Sequence, residues 1–171
     1  MQRVVHEFHT FATGLMNTYA QRGLYPMNGP IEIRVNGLDQ PGEVSVAGAV
    51  PPALSALRPR PDHPEWNCAV WVDLLTLPGT PGAAAFYQEL EQWIYANYSG
   101  SYAGVRVEWS KGWGYTATGA WSSTAMKSGT IPDSLSQGQA PGTEFESARS
   151  ALQQLDPYRL FSSPMLDTLL P

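Results

Sequence analysis

Glu32 and Arg34 stand two positions apart in the stretch Gly-Pro-Ile-Glu-Ile-Arg-Val-Asn-Gly-Leu-Asp that runs from Gly29 to Asp39. A carboxylate can take a proton and a guanidinium can hold an anion, so the pair suits a ligand that needs both. The element that would carry them reads as a β-strand: Ile31, Ile33 and Val35 alternate with polar residues, and turn formers stand at both ends. A period of two puts the three aliphatics on one face and Glu32 with Arg34 on the other. Such a face either meets a common ligand or is solvated, and these residues alone leave both readings open.

A second acid lies inside an apolar run. Asn67 to Leu77 is nearly continuous in apolar residues, which predicts a central strand buried on both faces. Asp73 shares one side of it with Ala69, Trp71 and Leu75. A carboxylate there must be paired, hydrogen-bonded or neutral, so it is either a satisfied core acid, with Arg34 as a possible partner, or a site residue. A third polar group comes from Tyr102 to Lys111, read as another strand. Val105, Val107 and Trp109 share one face of it and Arg106 and Glu108 the other, and Lys111 lies at its end. Gly112 to Tyr115 would break that strand; it meets neither the Walker pattern nor the dinucleotide glycine pattern.

The remaining elements position these. From about Arg3 to Arg22, Val4, Phe8, Phe11, Leu15 and Tyr19 recur at helical spacing, and Gly23 is placed to stop the helix. Prolines cluster between Asp39 and Glu65, predicting a long loop, with a short strand allowed over Val44 to Val50. Thr80-Pro81 reads as a helix start, with Thr80 as N-cap, for a helix to about Tyr98 carrying Ala83, Phe86, Leu90, Trp93 and Ile94. Thr116 to Gly142 is polar and predicts loop. Thr143 to Glu146 reads as a capping box for a helix through Phe145, Ala148, Leu152 and Leu155, and Ser163-Pro164 starts a last short helix. The sum is an α+β domain over residues 1–171: a mainly antiparallel sheet with helices packed on one face.

Composition excludes several classes of function. Of 171 residues only 15% are charged, against about 25% in ordinary soluble domains. The net charge is −5 and the basic residues are scattered, so nothing resembles a nucleic-acid footprint. Cys68 is the single cysteine, and His6, His9 and His63 find no partners at ligand spacing, so no metal site is expected. No apolar run reaches the ~20 residues of a membrane span. The N-terminus shows no signal peptide, which leaves localisation open.

Several stretches together resemble the vanillyl-alcohol oxidase flavoprotein family and, within it, the type II cholesterol oxidases with covalent flavin. They are Gly-Pro-Ile-Glu-Ile-Arg at 29 to 34, His-Pro-Glu-Trp at 63 to 66, Thr-Leu-Pro-Gly-Thr-Pro at 76 to 81 and Glu-Trp-Ser-Lys-Gly-Trp at 108 to 113. Leu-Asp-Pro-Tyr-Arg-Leu-Phe-Ser at 155 to 162 and the closing Leu-Leu-Pro complete the set. The resemblance spans essentially the whole chain. It implies the substrate-binding cap of a two-part FAD enzyme, with a C-terminal segment, residues 143–171, that returns to a flavin domain absent from this chain. It also implies oxidation of a secondary hydroxyl to a ketone with oxygen as acceptor, on a sterol or other apolar alcohol.

By the same resemblance, Arg34 sits by the flavin and the substrate oxygen, Glu32 accepts a proton or orients Arg34, and Lys111 lies near the flavin pyrimidine edge. Asp73, Glu108, Trp71 and Trp109 are carried as substrate-binding residues. Removing hydride from an alcohol leaves a proton to take up and an anion to stabilise, which one base and preorganised cations supply. The chain alone is expected to bind no flavin and to be inactive. The alternatives are a non-catalytic module that holds an apolar ligand, for which six tryptophans and few charges are suited, and a truncated fragment, suggested by the low charge and the uncapped first helix.

Overall fold

The structure, a computed structural model, describes residues 1–111 and 122–171. The chain folds as two compact units, each built from discontinuous segments. One takes Met1–Asn36, Cys68–Val105 and a segment beginning at Lys111; the other takes Gly37–Asn67, Arg106–Ser110 and Ser123–Pro171.

The first unit is held by helix α1 (Gln2–Ala20), strand β1 (Ile31–Gly37), strand β2 (Cys68–Leu74) and helix α2 (Ala83–Asn97). Phe8, Ala12, Leu15 and Tyr19 repeat along one side of α1 at helical spacing and are buried there against Phe86 and Leu90 of α2. Phe8 and Phe86 are fully buried, each stabilising the fold by about 2–3 kcal/mol through area removed from water. Phe11 stacks on Trp93 at 4.4 Å, and Tyr19 meets Phe86 edge-on at 5.5 Å. Gly23 ends the α1 segment with φ of 73°, the left-handed turn that the sequence predicts for it.

The two strands pair antiparallel. The Gly29 amide donates to the Leu75 carbonyl at 3.0 Å and the Leu75 amide to Pro30 at 3.2 Å, while beyond the other end Leu38 donates to Asn67 at 3.0 Å. Ile31 and Ile33 of β1 and Val72 and Leu74 of β2 pack against the helical core. The helices therefore lie on one face of the sheet, as the sequence predicts. The sheet is smaller than predicted: among the described residues it has two strands. The β2 residues are all half-buried rather than buried on both sides, because among the described residues helices cover one face of the strand.

Two other expected strands do not form. After a 3-10 turn at Pro41–Glu43, the Val44 to Val50 stretch runs through bends, and Val44, Val46 and Val50 are exposed. Residues 102–111 form no strand either. Side chains rather than a backbone ladder fasten the part of this stretch in the second unit: Val107 is buried and the Trp109 indole donates to the Leu54 carbonyl at 2.7 Å.

Helix starts also differ. The second helix begins at Ala83 with Gly82 as its N-cap at φ 78°, and Thr80 is occupied elsewhere. Its hydroxyl donates to the Leu77 carbonyl at 2.8 Å and accepts from Asn28 at 3.0 Å. In the second unit, helix α4 (Phe145–Leu155) starts without the Thr143–Glu146 box. Thr143 donates instead to Ala140 at 2.8 Å, and Glu146 pairs with Arg149. Ser163 does cap helix α5 (Pro164–Leu169), accepting from the Leu166 amide at 3.2 Å.

The described part of the predicted 116–142 loop is partly helical, with a π-helical turn at Met126–Thr130 running into helix α3 (Ile131–Ser136). Ile131 and Leu135, one turn apart, are buried. The predicted break over Gly112 to Tyr115 lies outside the described residues.

Candidate functional site

The face of the sheet turned away from the helices carries a cluster of charged side chains. Alternation along β1 sets Glu32 and Arg34 there, opposite in direction to Ile31 and Ile33, and alternation along β2 sets Trp71 and Asp73 there, opposite to Val72 and Leu74. Antiparallel pairing then brings the two polar pairs together. Arg34 Nη2 donates to Asp73 Oδ2 at 2.5 Å, and Arg34 Nε lies 3.3 Å from Glu32 Oε1. Lys111, 38 positions after Asp73, reaches the same oxygen, with Nζ 3.4 Å from Oδ2.

Trp71 is the surface on which the cations rest. The Arg34 guanidinium stands 5.1 Å and the Lys111 ammonium 4.7 Å from its ring centroid, within cation–π range. Desolvation alone would push the Asp73 carboxyl up, but Trp71, Arg34 and Lys111 together outweigh it and hold the group below its ordinary value. Asp73 is therefore an ionised hub. It is mostly covered while its partners are not: the side chains of Arg34 and Lys111 are 46% and 52% exposed, that of Asp73 only 18%. Two cations and a second carboxylate, Glu32, thus face outward from one anchored acid. Such an arrangement can take a proton and stabilise an adjacent oxyanion.

The five residues Glu32, Arg34, Trp71, Asp73 and Lys111 are brought together within the first unit. Glu108 and Trp109 belong to the second unit, where Glu108 accepts from the Ser110 amide at 3.2 Å and also from its hydroxyl. Among the described residues no three His, Cys, Asp or Glu side chains gather as a metal site would need, and no helix is long and apolar enough to cross a membrane.

Three arginines in the second unit escape sequence reasoning. Arg58 is 1% exposed and donates to Ala53 and Thr143 carbonyls, while Arg60 makes a two-bond fork with Asp62. Arg106, assigned by alternation to a polar strand face, serves the carbonyls of Ser134 at 3.1 Å and Arg58 at 2.8 Å. Desolvation, with the neighbouring charges of Arg60 and Arg58, lowers its guanidinium to about 10. The proline-rich loop itself was the available signal: a long irregular segment needs donors for its carbonyls, and arginine offers five.

The recurring motifs find local roles. In His63-Pro64-Glu65-Trp66 the imidazole stacks on the Trp66 ring at 4.0 Å and its Nδ1 lies 3.0 Å from Glu65. In the segment after α4, Asp156 accepts from the Leu160 and Phe161 amides at 2.8 and 2.9 Å. Leu155, Tyr158, Leu160 and Phe161 are exposed there.

Residues 1–171 match the family described as cholesterol oxidase, substrate-binding. Among solved structures the chain is similar to a solvent-stable cholesterol oxidase, at 58% identity and a TM-score of 0.91 over 100% of this chain and 32% of that one. It is also similar to cholesterol oxidase from Brevibacterium sterolicum, at 38% identity and a TM-score of 0.90 over 99% of this chain and 31% of that one. A point mutant of that enzyme matches equally in identity, with a TM-score of 0.89. No curated protein sequence matches. The chain thus spans about a third of the length of these enzymes, and it belongs to the cholesterol oxidase substrate-binding family.

Proposed function

We propose that this chain is the substrate-binding portion of a flavin-dependent oxidase that converts a secondary sterol hydroxyl to a ketone. The supporting observation is the gathering of Glu32, Arg34 and Lys111 around Asp73 on an outward sheet face, in a member of a substrate-binding family. In this reading Glu32 takes the hydroxyl proton and Arg34 stabilises the oxygen as charge builds on it. Lys111 adds positive charge beside it. Trp71, Asp73, Glu108 and Trp109 belong to the substrate-binding surround.

The residues fit an FAD partner. Two half-exposed cations on this sheet face suit a ring that gains negative charge. The flavin, when bound, supplies the hydride acceptor, and oxygen restores it. What this chain supplies is a base and a preorganised positive field. The remaining two thirds of the relatives' length is where a flavin domain would stand, with residues 143–171 of this chain returning to it.

A chimaera tests the reading: residues 1–171 replace the matching third of the solvent-stable cholesterol oxidase, and peroxide release is followed with cholesterol as substrate. Turnover is expected, with Arg34→Ala lowering kcat about 10²–10³-fold, the usual loss for one oxyanion donor. Intact turnover in Arg34→Ala would remove the assignment. The 171-residue chain alone is expected to be colourless; a yellow flavin absorbance would contradict that. Sterol binding without turnover in the chimaera would instead favour a non-catalytic binding module.

A further inference from the structure

We infer that Asp73 is the positioning residue of the site, the single acid that fixes Arg34 and Lys111 relative to one another; this rests on the oxidase reading above. Arg34 comes from β1 and Lys111 from the segment that follows Ser110, so no shared element sets their separation. What they share is Asp73 Oδ2, at 2.5 Å from Arg34 Nη2 and 3.4 Å from Lys111 Nζ, and the Trp71 ring below both.

Two like charges held this close repel, and each long side chain loses rotamer freedom when fixed. A carboxylate that binds both opposes the repulsion and prepays that ordering before substrate arrives, which is what preorganisation means for a transition state. Glu32 does not substitute for it. It approaches Arg34 alone, from the Nε side at 3.3 Å, and its side chain is 50% exposed, which leaves it open to a substrate hydroxyl. The two acids thus divide the work: Glu32 meets the reacting proton, whereas Asp73 positions the cations it holds.

The chain itself gives a direct readout, because it has two lysines, Lys111 and Lys127. Reductive 13C-dimethylation keeps their charge and yields one methyl signal from each. In the 171-residue chain, Asp73→Asn is expected to make the Lys111 signal more mobile by methyl relaxation. Lys127 in the second unit stays unchanged and reports that the fold is intact. Asp73→Glu keeps the charge and is expected to restore most of the restraint. Lys111 motion that is the same in wild type and Asp73→Asn would overturn the inference.

In the chimaera, Asp73→Asn is expected to lower kcat about 10-fold or more with KM changed less than about 3-fold, the pattern of an interaction felt in the transition state. A loosened Lys111 with unchanged kcat would equally overturn the positioning role. If the wild-type chimaera fails to turn over sterol, the oxidase reading fails, and the Lys111 signal still decides whether Asp73 holds the cations.

Discussion

Arg58 and Thr143, 85 positions apart, are joined by a hydrogen bond of 2.9 Å from the guanidinium Nη2 to the Thr143 carbonyl. A second bond, from Nη1 to Ala53 at 3.2 Å, ties the same buried side chain to its own loop. Arg58 therefore joins the proline-rich segment to the residue just before α4. Arg58→Ala removes both bonds and leaves two part-buried carbonyls without this donor. Each such loss costs about 1–2 kcal/mol, so we expect unfolding in urea to shift by about 2–4 kcal/mol. Unchanged stability would mean that other groups hold the loop.

Arg60 makes the acid behaviour of the second unit testable. Its hydrogen bonds, with added charge attraction, lower the Asp62 carboxyl to about 2 from an ordinary 3.8. The folded state thus binds this proton less readily than the unfolded one. The contribution is fully present above about pH 4 and is lost as pH falls through about 2. Because Asp62 is 39% exposed, solvent screening holds it to about 1 kcal/mol or less. Melting temperatures of wild type and Asp62→Asn should differ at pH 6 and converge near pH 2. A gap that stays constant down to pH 2 would exclude the linkage.

Gly29, at the head of the stretch that carries Glu32 and Arg34, allows β1 to close on β2. A Cβ there would stand 2.7 Å from the Leu75 carbonyl oxygen and 2.8 Å from the Leu75 Cβ, and backbone cannot move aside cheaply. Gly29→Ala is expected to cost about 1–3 kcal/mol, as overpacking does. Hydrogen exchange should show it first at the Leu75 amide, which donates to Pro30 at 3.2 Å. Unaltered Leu75 protection would count against this fit.

Much of the first unit is legible in the sequence because its signals are periodic and local. The α1 stripe, the Gly23 stop, the β1 alternation and the side of β2 that bears Asp73 all follow from side-chain spacing. Pairing Asp73 with Arg34 needed one further step, the antiparallel register, and the sequence already named that partner.

What failed depends on neighbours and competing partners that spacing does not report. Val105 and Val107 alternate as a strand would, but alternation cannot report whether a neighbouring strand exists. Thr80 has the right type for an N-cap, yet the nearby Asn28 and Leu77 compete for its hydroxyl. Gly129 and Pro132 hid the turn of Ile131 and Leu135 behind the composition of a loop. The contact of Trp71 with two cations was not legible either, because it depends on Lys111 arriving from another segment.

The two-stranded sheet keeps chemistry and cohesion on separate surfaces. Ile31, Ile33, Val72 and Leu74 face the aromatic core, and Glu32, Arg34, Trp71 and Asp73 face outward. Odd and even positions of the same two strands are therefore under different demands. Substitutions at 32, 34, 71 and 73 change the charged face with the core unaltered, and the core can be repacked from the other side without retuning a single charge.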